Sequence, residues 1–423
     1  MTAIRHGEGS VERRFASATG VLSVAMLAAS AANYGLNLGL ARLLEPAEFG
    51  DASLMVTLLL GLTAVGVALQ LLTAREISGA AAADADGIRR HLARRAGLGG
   101  LLLAAAMAAA APGLQVAFHT GSAWPFVVLA AGLPLYLVQS VDRGVLQGRF
   151  EFTRLGASFA MEAAVRLVGG LLLVAAGLGV VGATAALSLS FVGSWAVTRP
   201  ARRRSGARSP RRSPRRSSAA TSRATAVLLV GQIVINNGDV VLAKQLLDPE
   251  TAGSYAAIAL IGRAVFFASW AVANAAFPFA AGAATGRRVL RLGVIIVSVL
   301  SALAVGMLLL IGDRLAPKLF GAALVDDAAL FAPYAAATGM FAVANLIATL
   351  DVAADRMDTS LAILGGGILQ TVLLLSAGHD PRALVIAQVL AMAILLIATA
   401  SVHCRSRNTR SLWERGLVVE TVG

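Results

Sequence analysis

Long apolar segments recur along the whole chain, and they constrain its fold more than any other feature. Windows of about 20 mostly apolar residues, the length that crosses a bilayer as a helix, lie near residues 16–43, 51–74, 92–117, 124–146, 153–178, 181–198, 225–247, 253–282, 288–312, 328–350, 359–377 and 382–403. Only 14% of the residues are charged, whereas soluble domains carry about 25%. We therefore predict an all-α integral membrane protein with about 12 transmembrane helices.

The distribution of basic residues predicts the orientation of these helices. The N-terminal segment, the loops that follow every even-numbered span and the C-terminal tail together hold 29 Arg and Lys residues, whereas the opposite loops hold 5. Because cytoplasmic loops are enriched in basic residues, both termini are predicted to be cytoplasmic, in the cell (inner or plasma) membrane. This topology accounts for the net charge of +13, so we expect no nucleic-acid partner.

A short sequence near the start of the chain is repeated near its middle. The two copies are separated by a constant 203 positions (236 minus 33). The identities are Asn33, Gly35, Leu43, Leu44, Pro46 and Gly50 with Asn236, Gly238, Leu246, Leu247, Pro249 and Gly253. This predicts an internal duplication into two six-helix lobes. Six crossings separate the copies, so both face the same side, and the repeat is predicted to be parallel, with its two-fold axis along the membrane normal.

Each copy of the repeat is predicted to be a short external hairpin between two spans. Proline cannot extend a helix, and glycine permits a tight turn. Pro46 and Pro249 should therefore end the preceding helix, and Gly50 and Gly253 should allow the chain to turn.

The duplication divides the chain into four predicted regions. These are an N-terminal lobe (1–198), a basic linker (199–223), a C-terminal lobe (224–404) and a cytoplasmic tail (405–423). The linker contains ARRRSGARSPRRSPRRSS, a composition typical of a disordered tether that also anchors its end in the cytoplasm. A second interpretation is an electrostatic dock for anionic lipids or an acidic partner, regulated by phosphorylation at Ser209 or Ser213.

Several kinds of chemistry are not supported by the sequence. The only lysines, Lys244 and Lys318, are not followed by Ser or Thr, so the chain has no P-loop. The histidines are scattered and Cys404 is the single cysteine, so we expect neither a metal site nor an internal disulfide, and no cofactor. External loops are short, the longest running from about residue 313 to 327. An enzyme acting outside the membrane usually needs a sizeable external loop or domain to position its acid and base groups. The chain is therefore not expected to be an enzyme.

Charged residues inside the predicted spans are the first candidates for a functional site, because such groups are costly in lipid. Glu162 and Arg166 lie one helical turn apart in span 5 and can pair on one face. Arg263 lies deep in span 8 and Asp239 lies in span 7. One interpretation is an internal ion pair that fixes helix packing. The other is that Arg166 and Arg263 bind an anionic cargo while the acidic residues neutralise them or take a coupling cation.

Amides near these charges are further candidates. Asn236 and Asn237 lie just before Asp239 in span 7. Asn33 and Asn37 lie in the matching part of span 1. Gln70, near the inner end of span 2, is a weaker candidate. Their roles are either hydrogen bonding between helices or contact with a sugar or lipid headgroup.

Three segments resemble a known family of transporters. These are LGLARLLEPAEFGDASL, VDRGVLQGRFEFTRLGASFAMEAAVRLVGGLLL and NNGDVVLAKQLLDPETAGSYAAIALIGRAVFF. They are similar to polysaccharide biosynthesis transporters of the multidrug/oligosaccharidyl-lipid/polysaccharide flippase superfamily, a MATE-like fold. The resemblance implies two six-helix lobes around a cavity that alternates between the two sides, and an oligosaccharide on polyprenyl pyrophosphate as the cargo. In that pattern, Arg166 and Asp239 correspond to the family's span 5 arginine and span 7 aspartate. The long basic linker departs from the family.

These observations lead to a preferred function and to alternatives. The preferred function is outward flipping of a lipid-linked glycan, with membrane lipids and glycan-assembly enzymes as partners. A cation-coupled exporter of drugs or small metabolites on the same fold is the alternative. A membrane enzyme of glycan assembly is disfavoured by the short loops, and a non-transporting scaffold is the remaining interpretation.

Overall fold

The computed structural model describes residues 24–80, 84–199, 219–276, 283–325, 327–354 and 356–414. These residues form long helices connected by short turns. In the first half the helices are α1 (Val24–Leu43), α2 (Pro46–Gly79), α3 (Ala85–Ala117), α4 (Trp124–Gly148), α5 (Phe152–Leu173) and α6 (Gly179–Thr198). In the second half they are α7 (Ala219–Leu246), α8 (Pro249–Ala276), α9 (Ala283–Phe320), α10 (Phe331–Ala353), α11 (Asp358–Ser376) and α12 (Pro381–Glu414). The predicted all-α membrane fold is confirmed.

The helices form two separate units, which we call unit 1 (α1 to α6) and unit 2 (α7 to α12). Among the described residues, ten helical segments are long and apolar enough to cross a membrane. One of them, Phe152–Thr198, has 47 residues and contains both α5 and α6. Between these helices a π-helical turn (Val174–Leu178) carries Gly177 at φ 85°, followed by Gly179 at φ 48°. Residues that carry a side chain rarely adopt a positive φ, whereas glycine does so freely. The two glycines therefore allow the chain to reverse between α5 and α6.

Both units use the same pattern of helix packing. The fourth helix of each unit packs against the second, third and sixth, and the fifth packs against the sixth. The first and fifth helices also pack together in both units. In unit 1, a methyl group on Gly39 or Gly170 would collide with a leucine of the facing helix, and Gly231 and Gly367 have the same role in unit 2. Small residues therefore allow the close approach of these helices, as is usual in membranes.

The repeated turn differs in detail from the predicted hairpin. Pro46 and Pro249 are the first residues of α2 and α8, because the first helical position needs no backbone N–H and tolerates proline. Gly50 and Gly253 lie inside these helices and not in the turn. The prediction that the glycines form the turn was therefore wrong, and the chain reverses at the residues just before each proline.

Two further boundaries differ from the sequence predictions. The loop expected from about residue 313 is shorter, because α9 continues through Pro317 and has Phe320 as its last residue. The next residue, Gly321, has a φ of 92°, which takes the chain out of the helix. Two 3₁₀ turns, Ala322–Leu324 and Ala328–Leu330, then lead to α10. Helix α12 continues to Glu414, past the predicted start of the tail at residue 405. Most of the basic linker, including Ser209 and Ser213, lies outside the described residues.

Candidate functional site

A buried polar cluster in unit 1 is centred on Glu162. Its Oε2 accepts hydrogen bonds from Arg143 Nη2 and from Gln139 Nε2, each at 2.7 Å. Its Oε1 accepts one from Arg166 Nη2. The predicted ion pair between Glu162 and Arg166 is thus present, but a second arginine shares the carboxylate. We call the Glu162 cluster the residues Gln139, Arg143, Ser158, Glu162, Arg166, Ser190 and Ser194.

Serine hydroxyls bind the remaining faces of the two guanidinium groups. Arg143 Nε donates to Ser158 Oγ at 3.0 Å, and Arg143 Nη2 donates to Ser194 Oγ at 2.9 Å. Arg166 Nε donates to Ser190 Oγ at 3.0 Å. Helices α4, α5 and α6 are therefore joined by one hydrogen-bonded network, which satisfies most of the polar groups that burial would otherwise penalise.

The Glu162 cluster carries one more positive than negative charge. Arg143, Glu162 and Arg166 are only 4%, 7% and 8% exposed, and two guanidinium groups face one carboxylate. Arginine stays protonated in proteins. The ring of Phe159 lies 4.0 Å from the Arg143 guanidinium carbon and adds a cation–π contact. The arrangement therefore favours an additional negative charge nearby.

Arg143 is the site residue that the sequence analysis missed. It falls within the apolar window 124–146, close to the end predicted to be cytoplasmic. The structure places it inside α4, one helical turn after Gln139, so that both side chains reach Glu162. An arginine inside an apolar window, on the same helix face as a glutamine, was the signal available in the sequence.

Unit 2 has a buried polar group of a different kind, around Asp239. Its Oδ2 accepts a hydrogen bond from the Tyr334 hydroxyl of α10, while its Oδ1 has no hydrogen-bond partner among the described residues. A cavity of about 10 Å³ is lined by Asn236, Arg263, Tyr334 and Gln388 among others, which is room for about one water molecule.

The predicted asparagines bond within their own helices. The side-chain amides of Asn37, Asn236 and Asn237 each donate to the backbone carbonyl four residues earlier, which in the case of Asn37 is that of Asn33. Such bonds give each amide nitrogen a partner within its own helix, whereas Asn237 Oδ1 has none among the described residues.

Glutamines make the amide contacts between helices. Gln70 Nε2 on α2 donates to Gln147 Oε1 on α4 at 2.8 Å. In unit 2, Gln232 Nε2 on α7 donates to Asn345 Oδ1 on α10 at 2.6 Å. The structure thus gives Gln70 an interhelical partner in unit 1.

The predicted residues divide between the two units. Unit 1 contains Glu162 and Arg166 in the Glu162 cluster. In unit 2, Asn236 and Arg263 line the small cavity, and Asp239 is bonded to Tyr334, which also lines it.

No protein-family model matches this chain, and no curated protein matches its sequence. Solved structures do match its fold. An inward-facing multidrug resistance MATE family transporter of the MOP superfamily has a TM-score of 0.74 at 16% identity, covering 93% of this chain and 99% of the other. The lipid II flippase MurJ in an inward closed conformation has a TM-score of 0.71 at 10% identity, covering 89% and 86%.

A third structure adds to this comparison. A MOP superfamily transporter from Pyrococcus furiosus, described as having a binding pocket of reversed polarity, has a TM-score of 0.58 at 16% identity, covering 94% of this chain and 96% of the other. The chain therefore has the fold of the MATE and MOP superfamily, as the sequence resemblance implied. The matched structures are of transporters and a flippase.

Proposed function

We propose that this protein is an alternating-access flippase that moves a polyprenyl-pyrophosphate-linked oligosaccharide from the cytoplasmic to the outer leaflet. The observation that carries the proposal is the Glu162 cluster, where two buried arginines face a single carboxylate. Arg166 of unit 1 and Arg263 of unit 2 are the proposed contacts for the anionic headgroup. Glu162 and Asp239 offset the arginine charges when no cargo is bound.

The surplus charge favours an anionic cargo for a simple physical reason. A buried charge without a partner is strongly destabilising, and ionisable groups within membrane segments mark substrate or ion pathways. The planar guanidinium group binds two phosphate oxygens at once. A pyrophosphate headgroup is therefore a better match than an organic cation for the charge that Glu162 leaves unbalanced.

The fold supports transport of a lipid-linked cargo. Multidrug transporters and a lipid II flippase share it, so this architecture is compatible with both small soluble molecules and lipids that carry a large polar head. In our proposal the polyprenyl tail stays in the lipid, and Asn33, Asn37, Asn236 and Asn237 are the candidate contacts for sugar hydroxyls. We place the protein in the cell membrane with both termini in the cytoplasm, and glycan-assembly enzymes are its proposed partners.

A reconstituted flipping assay tests this function. The full chain is placed in liposomes with a fluorescent polyprenyl-pyrophosphate disaccharide, and the fraction of label reached by an impermeant quencher is followed over time. The variant Glu162→Gln/Arg166→Met removes the ion pair without changing net charge. We expect flipping to slow by at least about tenfold, since a hydrogen bond to a charged group contributes about 1.5 to 3 kcal/mol.

The matched control removes a similar pair from the same helix. Arg154 Nη1 and Glu151 Oε2 are 3.0 Å apart at the start of α5, where both are partly exposed. Glu151→Gln/Arg154→Met should therefore flip normally. Unchanged flipping in the Glu162→Gln/Arg166→Met variant, or no flipping by the unmodified protein, would contradict the proposed function.

Asp239 favours the second candidate, a cation-coupled exporter of drugs or small metabolites. This carboxylate is 1% exposed and has one oxygen without a hydrogen-bond partner among the described residues, which suits a proton or a metal cation. The same liposomes, loaded with a cationic dye under a proton or sodium gradient, separate the two functions. Dye export that is lost in Asp239→Asn, together with no movement of the lipid-linked sugar, would favour the exporter.

A further inference from the structure

A second and larger cavity lies at one end of unit 2, and its lining residue Tyr255 packs against Tyr334, the tyrosine bonded to Asp239, with ring centroids 6.0 Å apart. Its volume is about 350 Å³, at the small end of the range for organic ligands. All three connections at this end of the unit contribute to it. These are the α7–α8 turn with Asp248, the α9–α10 connection with Asp327, which leads to Phe331 at the start of α10, and the α11–α12 turn with His379.

One face of α8 lines this cavity with hydroxyl groups. Thr251, Ser254 and Tyr255 occupy successive positions on that face. Ser254 and Tyr255 are only 5% and 1% exposed, and neither hydroxyl has a hydrogen-bond partner in the described part of the chain. Buried hydroxyl groups without partners are costly. A ligand in the cavity would supply the missing bonds.

Two carboxylates line the cavity, those of Asp327 and Asp248, and they have different partners. Asp327 Oδ2 is 2.8 Å from Arg382 Nη2 and forms a salt bridge. Asp248 Oδ1 accepts the backbone N–H of Thr251 at 3.1 Å, and the Thr251 side chain also bonds Asp248. Asp248 thus offers an ionised acceptor beside the two free hydroxyls, while Phe331 and Ile258 provide an apolar wall.

These groups match the chemistry of a sugar better than that of a metal ion. Among the described residues, no group of three or more His, Cys, Asp and Glu side chains is arranged to hold a metal. A sugar hydroxyl can donate to Asp248 and can both donate to and accept from Ser254 and Tyr255. The C–H face of a sugar ring can pack on Phe331.

We infer that this cavity, lined by Asp248, Thr251, Ser254, Tyr255 and Phe331, binds one sugar residue. By the predicted topology this end of unit 2 faces the exterior. The site stands on its own geometry, and it does not require that the protein flip a lipid-linked glycan.

Saturation-transfer difference NMR on the purified full chain in lipid nanodiscs tests this inference. The probes are glucose, galactose and N-acetylglucosamine, each as the free sugar and as its methyl glycoside, with tetramethylammonium as a cationic probe. We expect a saturable signal from at least one sugar. Binding of a methyl glycoside indicates recognition of a chain terminus, whereas binding of the free sugar alone indicates a soluble monosaccharide.

Matched serine variants locate the site. Ser254→Ala and Tyr255→Phe should weaken binding by about two- to tenfold, as expected for one lost hydrogen bond, and Ser254→Leu should fill the cavity and remove the signal. Ser301 is also a buried serine of unit 2 whose hydroxyl has no hydrogen-bond partner among the described residues, but it does not line the cavity, so Ser301→Ala should bind normally. Size-exclusion chromatography checks the folding of each variant.

Three results would overturn the inference. One is the absence of a saturable signal for every sugar. Another is binding of tetramethylammonium without binding of any sugar. The third is equal sugar binding by the unmodified protein, Ser254→Ala and Tyr255→Phe. A failure of the flipping assay would leave each of these measurements unaffected, so the two proposals can fail separately.

Discussion

The two units share a helix arrangement but not the polar groups buried inside it. In unit 1, Glu162 is held by Arg143 and Arg166 from helices α4 and α5. In unit 2, Asp239 on α7 is bonded to the Tyr334 hydroxyl on α10. The same backbone plan thus encloses a surplus cation in one unit and a carboxylate with a phenol donor in the other.

A single pair of repeated positions shows what the duplication preserved. Leu36 in α1 corresponds to Asp239 in α7, since both precede the repeated proline by ten residues. Leu36 is 2% exposed, and its side chain packs directly against Gly170 of α5. Asp239 is 1% exposed. The repeat therefore preserves burial at this position and not polarity. Function is best sought where a buried position changes chemistry, because burying a charge has a large cost that packing alone does not require.

The largest expected effect comes from removing the central carboxylate of unit 1. Glu162→Ala leaves Arg143 and Arg166 buried without their shared acceptor, and we expect a loss of about 3 to 5 kcal/mol in the free energy of unfolding. Thermal unfolding in detergent, followed by tryptophan fluorescence, measures it. Glu151→Ala at the exposed start of α5 should lose no more than about 1 kcal/mol. Similar losses in the two variants would show that the Glu162 cluster does not stabilise unit 1.

In unit 2, the tyrosine that donates to the buried carboxylate should matter next. Tyr334→Phe removes the hydroxyl that bonds Asp239, and we expect a loss of about 2 to 3 kcal/mol in stability because the carboxylate remains buried. Adding Asp239→Leu, which gives unit 2 the residue found at Leu36, should recover most of that loss.

The control for this pair is a second buried tyrosine. The Tyr255 hydroxyl has no hydrogen-bond partner in the described part of unit 2, so Tyr255→Phe should not destabilise the protein and should stabilise it by up to about 1 to 3 kcal/mol. If the double variant Tyr334→Phe/Asp239→Leu were no more stable than Tyr334→Phe alone, the two residues would not be coupled.

Glycine packing gives a smaller effect in unit 2. A methyl group at Gly262 of α8 would overlap the ring of Tyr334 and the hydroxyl of Thr338 on α10, so Gly262→Ala should cost about 1 to 3 kcal/mol. Gly365 on α11 has open space around it, and Gly365→Ala should be neutral or stabilising by up to about 1 kcal/mol. Denaturation curves of the two variants test this, and equal effects would argue against close α8–α10 packing at Gly262.

The smallest expected effect is a difference in helix capping between the two copies of the repeated turn. Asp248 caps α8 by accepting the Thr251 N–H, whereas Glu45 makes no side-chain cap on α2. Asp248→Ala should therefore cost about 1 kcal/mol, and Glu45→Ala should cost almost nothing.

The cap also predicts a dependence on pH. Hydrogen bonds from Thr251 lower the pKa of Asp248. A carboxylate with a lowered pKa stabilises the folded state above its ordinary pKa, and this contribution is lost as the pH falls through the lowered value. The stability difference between the unmodified protein and Asp248→Ala should thus be largest near pH 7 and should shrink in acid. A difference that stayed constant with pH would contradict the role of the ionised cap.

Much of the fold could be predicted from residues that are close in sequence. The lengths of the apolar segments indicated the helices, and the repeat at Asn33 and Asn236 indicated two similar units. The prediction about the turn was wrong in one respect, because proline can begin a helix as well as end one, and the sequence alone does not distinguish the two uses. The continuation of α9 past residue 313 was missed because the apolar window ends near residue 312, whereas the helix extends beyond it to Phe320.

The polar sites were harder to predict because their partners are far apart in sequence. The pairing of Glu162 with Arg166 follows from helical spacing, since they are four residues apart. Arg143 is 19 residues from Glu162, and Tyr334 is 95 residues from Asp239. The sequence marked both carboxylates as costly but offered no way to identify these two distant partners, Arg143 and Tyr334.

The sequence by itself determined that this protein is a duplicated bundle of membrane helices, because hydrophobic length and repeated residues are properties that can be counted along the chain. Only the tertiary structure decided how the buried charges are satisfied, since hydrogen bonds between helices depend on which side chains the packing brings within about 3 Å. In unit 1 this packing places a surplus of positive charge around Glu162. It also gave unit 2 a carboxylate bonded to tyrosine and a hydroxyl-lined cavity at its end.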